Sequence, residues 1–148
     1  MKFTLIIDKE KDEEEVVVTV HERSALTNEI EVLVMKYAGS DRIAAYNEND
    51  LKMLAFSDIE CITVLDSKTF AIDSQNRHYR LKQRLYELEA LLPSSFIRIN
   101  KSTLANENRL DRFAVTYAGG VDAVFKCGYR EYVSRRCFSQ IKRRFETK

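Results

Sequence analysis

"SSFIRINKSTLANENRL", residues 94–110, sets Phe96, Ile97 and Ile99 directly against Asn100, Lys101, Ser102 and Thr103. The apolar run requires burial, whereas the four residues after it require water or a polar partner. Two readings fit the stretch. It is either a core element that ends in an ordinary surface loop, or a rigid mount that holds Lys101 against something charged.

On its C-terminal side, "LDRFAVTYA" (110–118) and "VDAVFK" (121–126) flank Gly119 and Gly120, a strong hairpin signal. "REYVS" (130–134) reads as a last strand and "RRCFSQIKRRF" (135–145) as a closing helix. Phe138, Ile141 and Phe145 fall on one face of that helix, with its basic residues mostly on the others. On the N-terminal side, "KQRLYELEALL" (82–92) predicts a helix whose face is Leu81, Leu85, Leu88 and Leu92, ended by Pro93. Before it runs a meander of short strands. "RIAAY" and "LKMLAF" flank "NEND", "CITVL" and "FAI" flank "DSKT", and "RHYRL" follows "DSQN".

Residues 1–46 read as strand, strand, helix. "KFTLIID" and "VVVTVHE" are rich in β-branched and aliphatic residues and are separated by the charged stretch Lys9 to Glu15. Ser24 then suits a helix cap, Leu26, Ile30, Leu33 and Val34 form an apolar stripe, and "AGSD" (38–41) stops the helix. The expected fold is mainly β with short helices (α+β), divided into an acidic segment at 1–46 and a second domain at 47–148.

At 148 residues, 45% of them apolar and only one a proline, the chain has room for one folded domain and a small addition. No apolar stretch is long enough to cross a bilayer, and the first apolar run is too short for a signal peptide, so the cytoplasm is the expected location. Cys61, Cys127 and Cys137 lack CxxC spacing, and His21 and His78 stand far apart; reduced thiols, no metal and no cofactor are expected. The four glycines all sit as turns, so there is no phosphate-binding loop, and no serine occupies a nucleophile elbow. No catalytic residue is assigned, and the chain is not expected to be an enzyme.

Charge is unevenly distributed. Residues 1–46 carry 6 Lys/Arg against 10 Asp/Glu, and residues 94–148 carry 12 against 5. Taken alone, Lys142, Arg143 and Arg144 read as a solvated helix face. Arg135 and Arg136 are different, because they stand in the first turn of a helix whose dipole favours negative charge. A phosphate or a base edge would compensate them, since helix starts suit phosphate and Arg is the commonest bidentate reader of guanine.

Two segments carry a resemblance. Phe96, Arg98, Ile99, Lys101, Ser102 and Asn106, followed by Val133, Ser134, Arg135 and Arg136 in "GYREYVSRRCFSQIKRRF" (128–145), resemble the LytTR DNA-binding domain of bacterial transcription regulators. "DIECITVLDSKTFAI" (58–72) and "RLKQRLYELEALLP" (80–93) match that family's early hairpin and leucine-rich helix, so the resemblance spans about residues 47–146. It implies a fold of three small antiparallel β-sheets whose loops enter successive major grooves. Carried over by position, it implies base contacts from Lys68 in the loop Asp66–Thr69, from Lys101 and from Arg136. Arg98, Ser102, Ser134, Arg135, Lys142 and Arg143 are the candidate phosphate contacts. Asn106 reads as a turn-holding side chain that bonds its own backbone.

The implied partner is double-stranded promoter DNA, bound by a homodimer at paired sites. Residues 1–46 are too short for a receiver domain, so the chain resembles the compact LytTR type held down by an inhibitory integral membrane protein. The acidic segment is then a dimerisation or inhibitor-binding element, or a cap over a sheet face. The alternative function is a protein-interaction module whose basic face docks an acidic partner. Single-stranded nucleic-acid binding would need an exposed aromatic platform, for which Tyr79, Tyr117, Tyr129 and Tyr132 are the candidates.

Overall fold

A computed structural model describes residues 1–48 and 50–146. Asn49 of the "NEND" loop and the last two residues of the expected second domain lie outside the described residues. The elements run α1 Ala25–Tyr37, β1 Arg42–Tyr46, β2 Leu51–Ala55, β3 Ile59–Leu65, β4 Lys68–Asp73, β5 His78–Leu81, α2 Leu85–Leu91, β6 Phe96–Asn100 and β7 Thr103–Asn106. After them come β8 Leu110–Val115, β9 Val121–Phe125, β10 Arg130–Val133 and α3 Arg135–Glu146.

The strands form a seven-stranded sheet, β2-β1-β5-β4-β3-β7-β6, and a three-stranded sheet, β10-β9-β8, antiparallel throughout. The expected three small sheets are therefore two. The β1–β2 hairpin joins the other five strands through one register pair, Tyr46↔Arg80. The division expected after residue 46 runs between β1 and its hairpin partner, and Ile43 and Ala45 of β1 are buried in the core.

Both faces of the central strands are covered, which explains why "CITVL" does not alternate between apolar and polar. One face packs Ile62, Ala71 and Leu104 beneath Leu85 and Leu88 of α2. The opposite face packs Cys61, Ile72, Ile99 and Ala105 against Phe125, Val133 and Ile141, from the small sheet and α3. Leu81, Leu85, Leu88 and Leu92 are all buried, as their spacing requires. Phe138 and Phe145 of α3 lie against Phe113, with ring centroids 5.6 and 6.4 Å away.

Glu60 fastens the two layers together. Fully buried in β3, its carboxylate accepts from the Arg109 guanidinium and from the Cys127 amide at 2.7 Å. A buried carboxylate left alone would be costly, so both donors are needed for the site to be tolerated. All three cysteines are free, and burial pushes the thiols of Cys61 and Cys127 up.

The N-terminal expectation needs correcting. Only the helix forms: "KFTLIID" and "VVVTVHE" are not strands, and residues 1–24 are exposed. A two-stranded ribbon is marginal in water, and β-propensity cannot replace a sheet partner. Ser24 does cap α1, in a reciprocal capping box with Thr27. The stripe Leu26, Ile30, Leu33 and Val34 is not buried. What holds α1 is Met35, packed on the core, and Glu31, whose carboxylate accepts from the amide and hydroxyl of Ser94 at 2.8 Å. No helix among the described residues is long and apolar enough to cross a membrane.

Candidate nucleic-acid interface

One end of the large sheet carries three neighbouring tips. The first is the β3–β4 turn, where Asp66 and Ser67 both have positive φ, 50° and 63°, and Leu65 pairs directly with Lys68. Two central residues at positive φ match the tight hairpin turn whose twist suits the flanking strands. The loop "DSKT" is thus tighter than expected, and Lys68 is the first exposed residue of β4.

The second tip is the β6–β7 turn at Lys101 and Ser102. It sits beside the first because β3 pairs with β7 in the register Thr63↔Thr103. The Val64 amide donates to the Ser102 carbonyl at 2.9 Å, and the buried hydroxyls of Thr63 and Thr103 bond each other at 2.9 Å. β4 and β6 are three strand spacings apart, so the two tips are separated by about 14 Å or less.

The third tip is the start of α3. A bulge in β6 lies between Arg98↔Leu104 and Asn100↔Thr103, so Ile99 has no partner on β7. Its carbonyl instead accepts from the Ser134 amide at 2.9 Å. Bulges re-aim a strand, and this one turns a backbone group toward the helix start. Ser134 caps α3, its hydroxyl accepting from the Cys137 amide at 3.2 Å. Arg135 and Arg136 follow, both exposed.

Asn100 ties the second tip to the third. It is buried, not solvated as its polarity suggested; its amide donates to the Tyr132 carbonyl at 2.8 Å and its oxygen accepts from the Ser102 amide at 2.8 Å. Thr103 is likewise buried. Asn106 does hold a turn, accepting from the Asn108 amide at 3.1 Å, and it also donates to the Ile59 carbonyl at 2.9 Å.

Lys68, Lys101, Arg135 and Arg136 are exposed and make no ion pair among the described residues. The other sequence candidates are differently placed. Arg98 is half-buried and bonded to Glu89 at 2.6 Å and to the Lys101 carbonyl at 2.6 Å, a geometry that braces the Lys101 turn. Ser102 is half-exposed, with its backbone engaged on both sides. Lys142 lies 3.9 Å from Glu146 on the outer face of α3. Arg143 and Arg144 line a groove of about 710 Å³ with Arg23, Arg98, Phe96 and Ile97, and Arg144 is also held by Glu107 at 2.9 and 3.1 Å.

The four tyrosines make no stacking platform. Tyr79 is buried in the large sheet, Tyr117 stands in the β8–β9 turn, Tyr129 is half-buried and donates to Glu131 at 3.1 Å, and Tyr132 is exposed on β10. Asn100, the Arg98 brace and the Glu60–Arg109 pair escaped sequence reading. The one available signal was an asparagine at the end of an apolar strand, where burial demands a specific partner.

Comparison with known proteins agrees with this geometry. The family model described as LytTr DNA-binding domain matches residues 49–146. An uncharacterized HTH-type transcriptional regulator of Staphylococcus aureus is 29% identical over 144 residues, covering 97% of each chain. A similarly described regulator from another strain is 33% identical over 105 residues, covering 71% of each. Among solved structures, a LytTr DNA-binding domain from Bacillus cereus superposes with a TM-score of 0.63 at 22% identity, covering 70% of this chain and 94% of that one. "HTH-type" belongs to the relatives' names; among the described residues here, every helix is separated from the next by strands.

Proposed function

The chain belongs to the LytTr DNA-binding domain family, and from that premise we propose that it regulates transcription by reading specific double-stranded promoter sites with the three tips of its sheet end. DNA binding and regulation, and not catalysis, follow from the family. The finer reading rests on one observation: Lys68, Lys101 and Arg136 project unpaired from three adjacent tips that main-chain bonds hold together. Base-edge readout needs such fixed placement, whereas phosphate contacts tolerate more freedom. In this reading Lys101 and Arg136 contact bases, Lys68 contacts a third position, and Arg135, Ser102, Ser134, Lys142 and Arg143 contact the backbone. Arg98 acts through Lys101, as a positioning residue.

We assign the regulator to the cytoplasm, acting as a homodimer at paired sites, with residues 1–46 outside the DNA-reading domain. Control by an integral membrane protein rests on the resemblance to compact family members; co-purification of the full chain with a membrane protein encoded beside it is its test.

The decisive experiment is a titration on duplex DNA from the gene's own upstream region, with salt varied. Specific binding should weaken with a slope of about −0.9 in log K per phosphate neutralised. Arg136→Ala should remove the preference for the specific duplex over a scrambled one while the thermal transition is retained. Affinity that ignores salt and sequence would instead support the acidic-partner reading.

A further inference from the structure

More than half of the exposed large apolar side chains lie in the first quarter of the chain. Of 23, 14 fall within residues 1–37; eight are between residues 3 and 20 and five are on α1. Phe3, Ile6 and Ile7 are each at least 80% exposed and Val17 is 75% exposed. Monomeric proteins seldom leave so contiguous an apolar set in water.

Residues 2–7 and 16–20 have strand propensity but no strand partners. Val16, Val18 and Val20 alternate onto one side, sharing a groove of about 340 Å³ with Ile30, Val34 and Met35 of α1, while Val17 points away. The segment is thus seated on a helix through alternate side chains. Among the described residues, the one backbone–backbone bond recorded before Ser24 is the turn bond from the Lys11 amide to the Asp8 carbonyl. Both edges of residues 16–20, and of residues 2–7, are open to pairing.

We propose that residues 16–20 pair antiparallel with the same residues of a second copy of this chain, so that the four segments of two chains form one sheet over the two α1 helices. This deepens the homodimer of the proposed function, on which it rests only for the role of the dimer. Three observations select a second copy as the occupant. Thirteen large apolar side chains stay exposed on residues 3–20 and α1, enough to supply the apolar centre of a standard interface of ~800 Å² per partner. A two-fold axis through an edge strand satisfies identical open edges with each other, valine facing valine. Charge excludes the main competitors: residues 8–15 hold Asp8, Glu10, Asp12 and Glu13 to Glu15 against Lys9 and Lys11. That acidic loop is repelled by anionic lipid and by DNA. Antiparallel pairing also sends the two acidic loops to opposite ends of the shared sheet, whereas parallel pairing would force them together.

The test is sedimentation equilibrium of the full chain without DNA, beside Thr19→Pro, which blocks main-chain pairing, and Val18→Glu, which sets two like charges opposite each other at the two-fold axis. The native chain should be a dimer. Each variant should raise the dissociation constant at least about 100-fold, with the thermal transition retained and binding to a single-site duplex unchanged. A monomeric native chain, or variants as dimeric as the native chain, would overturn the proposal. So would flotation of a monomeric native chain with phosphatidylcholine–phosphatidylglycerol vesicles, which would assign the surface to lipid. A dimer that binds no duplex would leave this inference standing and remove the DNA reading.

Discussion

Replacing Asn100 with alanine tests whether the sheet end is a rigid mount. The side chain is buried and bridges the Tyr132 carbonyl and the Ser102 amide, both at 2.8 Å. Its removal leaves those two groups without their partner, at a cost of about 1–3 kcal/mol for each fully buried one. Ser102 is half-exposed, so water recovers part of its share, and a total loss of about 2–4 kcal/mol is expected. Against a domain stability of about 5–15 kcal/mol the protein stays folded at room temperature. The bridge also fixes the Lys101 turn relative to β10 and the start of α3. Once it is cut, one base contact worth about 1–3 kcal/mol should be misplaced, lowering preference for the specific duplex roughly 5- to 150-fold. Scrambled duplex, bound through phosphates, should be held almost as before. Urea unfolding and paired anisotropy titrations read the two effects separately. A stability loss under about 0.5 kcal/mol would mean the bonds are replaceable. Equal losses on both duplexes would refute the coupling between bridge and readout. Asn100→Asp sharpens the test. It keeps an acceptor for Ser102 but turns an oxygen toward the Tyr132 carbonyl and the Glu131 carboxylate, 3.5 Å from the native amide. Its damage should be at least as large at neutral pH and should ease on acidification, when the protonated carboxyl can donate.

Glu60→Ala should cost about 3–5 kcal/mol in urea unfolding, since it strands the Arg109 guanidinium. Glu60→Gln should cost less, because an amide oxygen still accepts from the Cys127 amide. Lys142→Ala should weaken binding to every duplex about equally and reduce the salt slope by about 0.9, read from titrations at several salt concentrations. Burial raises the Cys61 thiol pKa, so the folded chain keeps a proton that the unfolded chain releases. Its contribution is therefore complete below the unfolded value of about 8.5 and is lost above it, by up to about 1.4 kcal/mol per pH unit. Unfolding measured from pH ~8 to pH ~10 should show that decline, and Cys61→Ala should make it shallower, leaving the share of the Cys127 thiol, which burial also raises.

Local pattern carried most of the strands. β1, β2, β8, β9 and β10 stand where short apolar-containing runs meet turn signals, and the Gly119–Gly120 hairpin forms because Gly119 takes a φ of +85°. β7 was harder, because "TLAN" begins and ends with polar residues that the fold buries. Thr103 is held by Thr63, and Asn106 by two backbone carbonyl and amide groups that nothing local announces. The N-terminal segments failed in the opposite sense: strand propensity was present, but within one chain no ladder partner was. Among the proposed contacts, Lys101 and Arg136 stand at element junctions, where the sequence pattern places them. The roles of Asn100 and Glu60 were not legible, since their partners lie 32 and 49 residues away in sequence. A side chain's polarity says that it needs a partner, and only the fold says which.

The bulge at Ile99 explains how a sheet end can hold the start of a helix in a fixed position. Without the extra residue, each β6 carbonyl would face either β7 or solvent, and the start of α3 would have no bond to the strand. With it, Ile99 keeps its side chain in the core while its carbonyl binds the residue that caps α3. The three tips are then separated by strand spacings and one main-chain bond, with no flexible linker between them. Two arginines in the first turn of α3 oppose the helix dipole, and the exposed side chains of Arg135 and Arg136 make no ion pair among the described residues. That arrangement is unfavourable in the free protein and is relieved when an anion arrives. In the proposed complex a fixed frame would thus present charges that are better satisfied by DNA than without it, concentrating binding energy at the proposed reading tips.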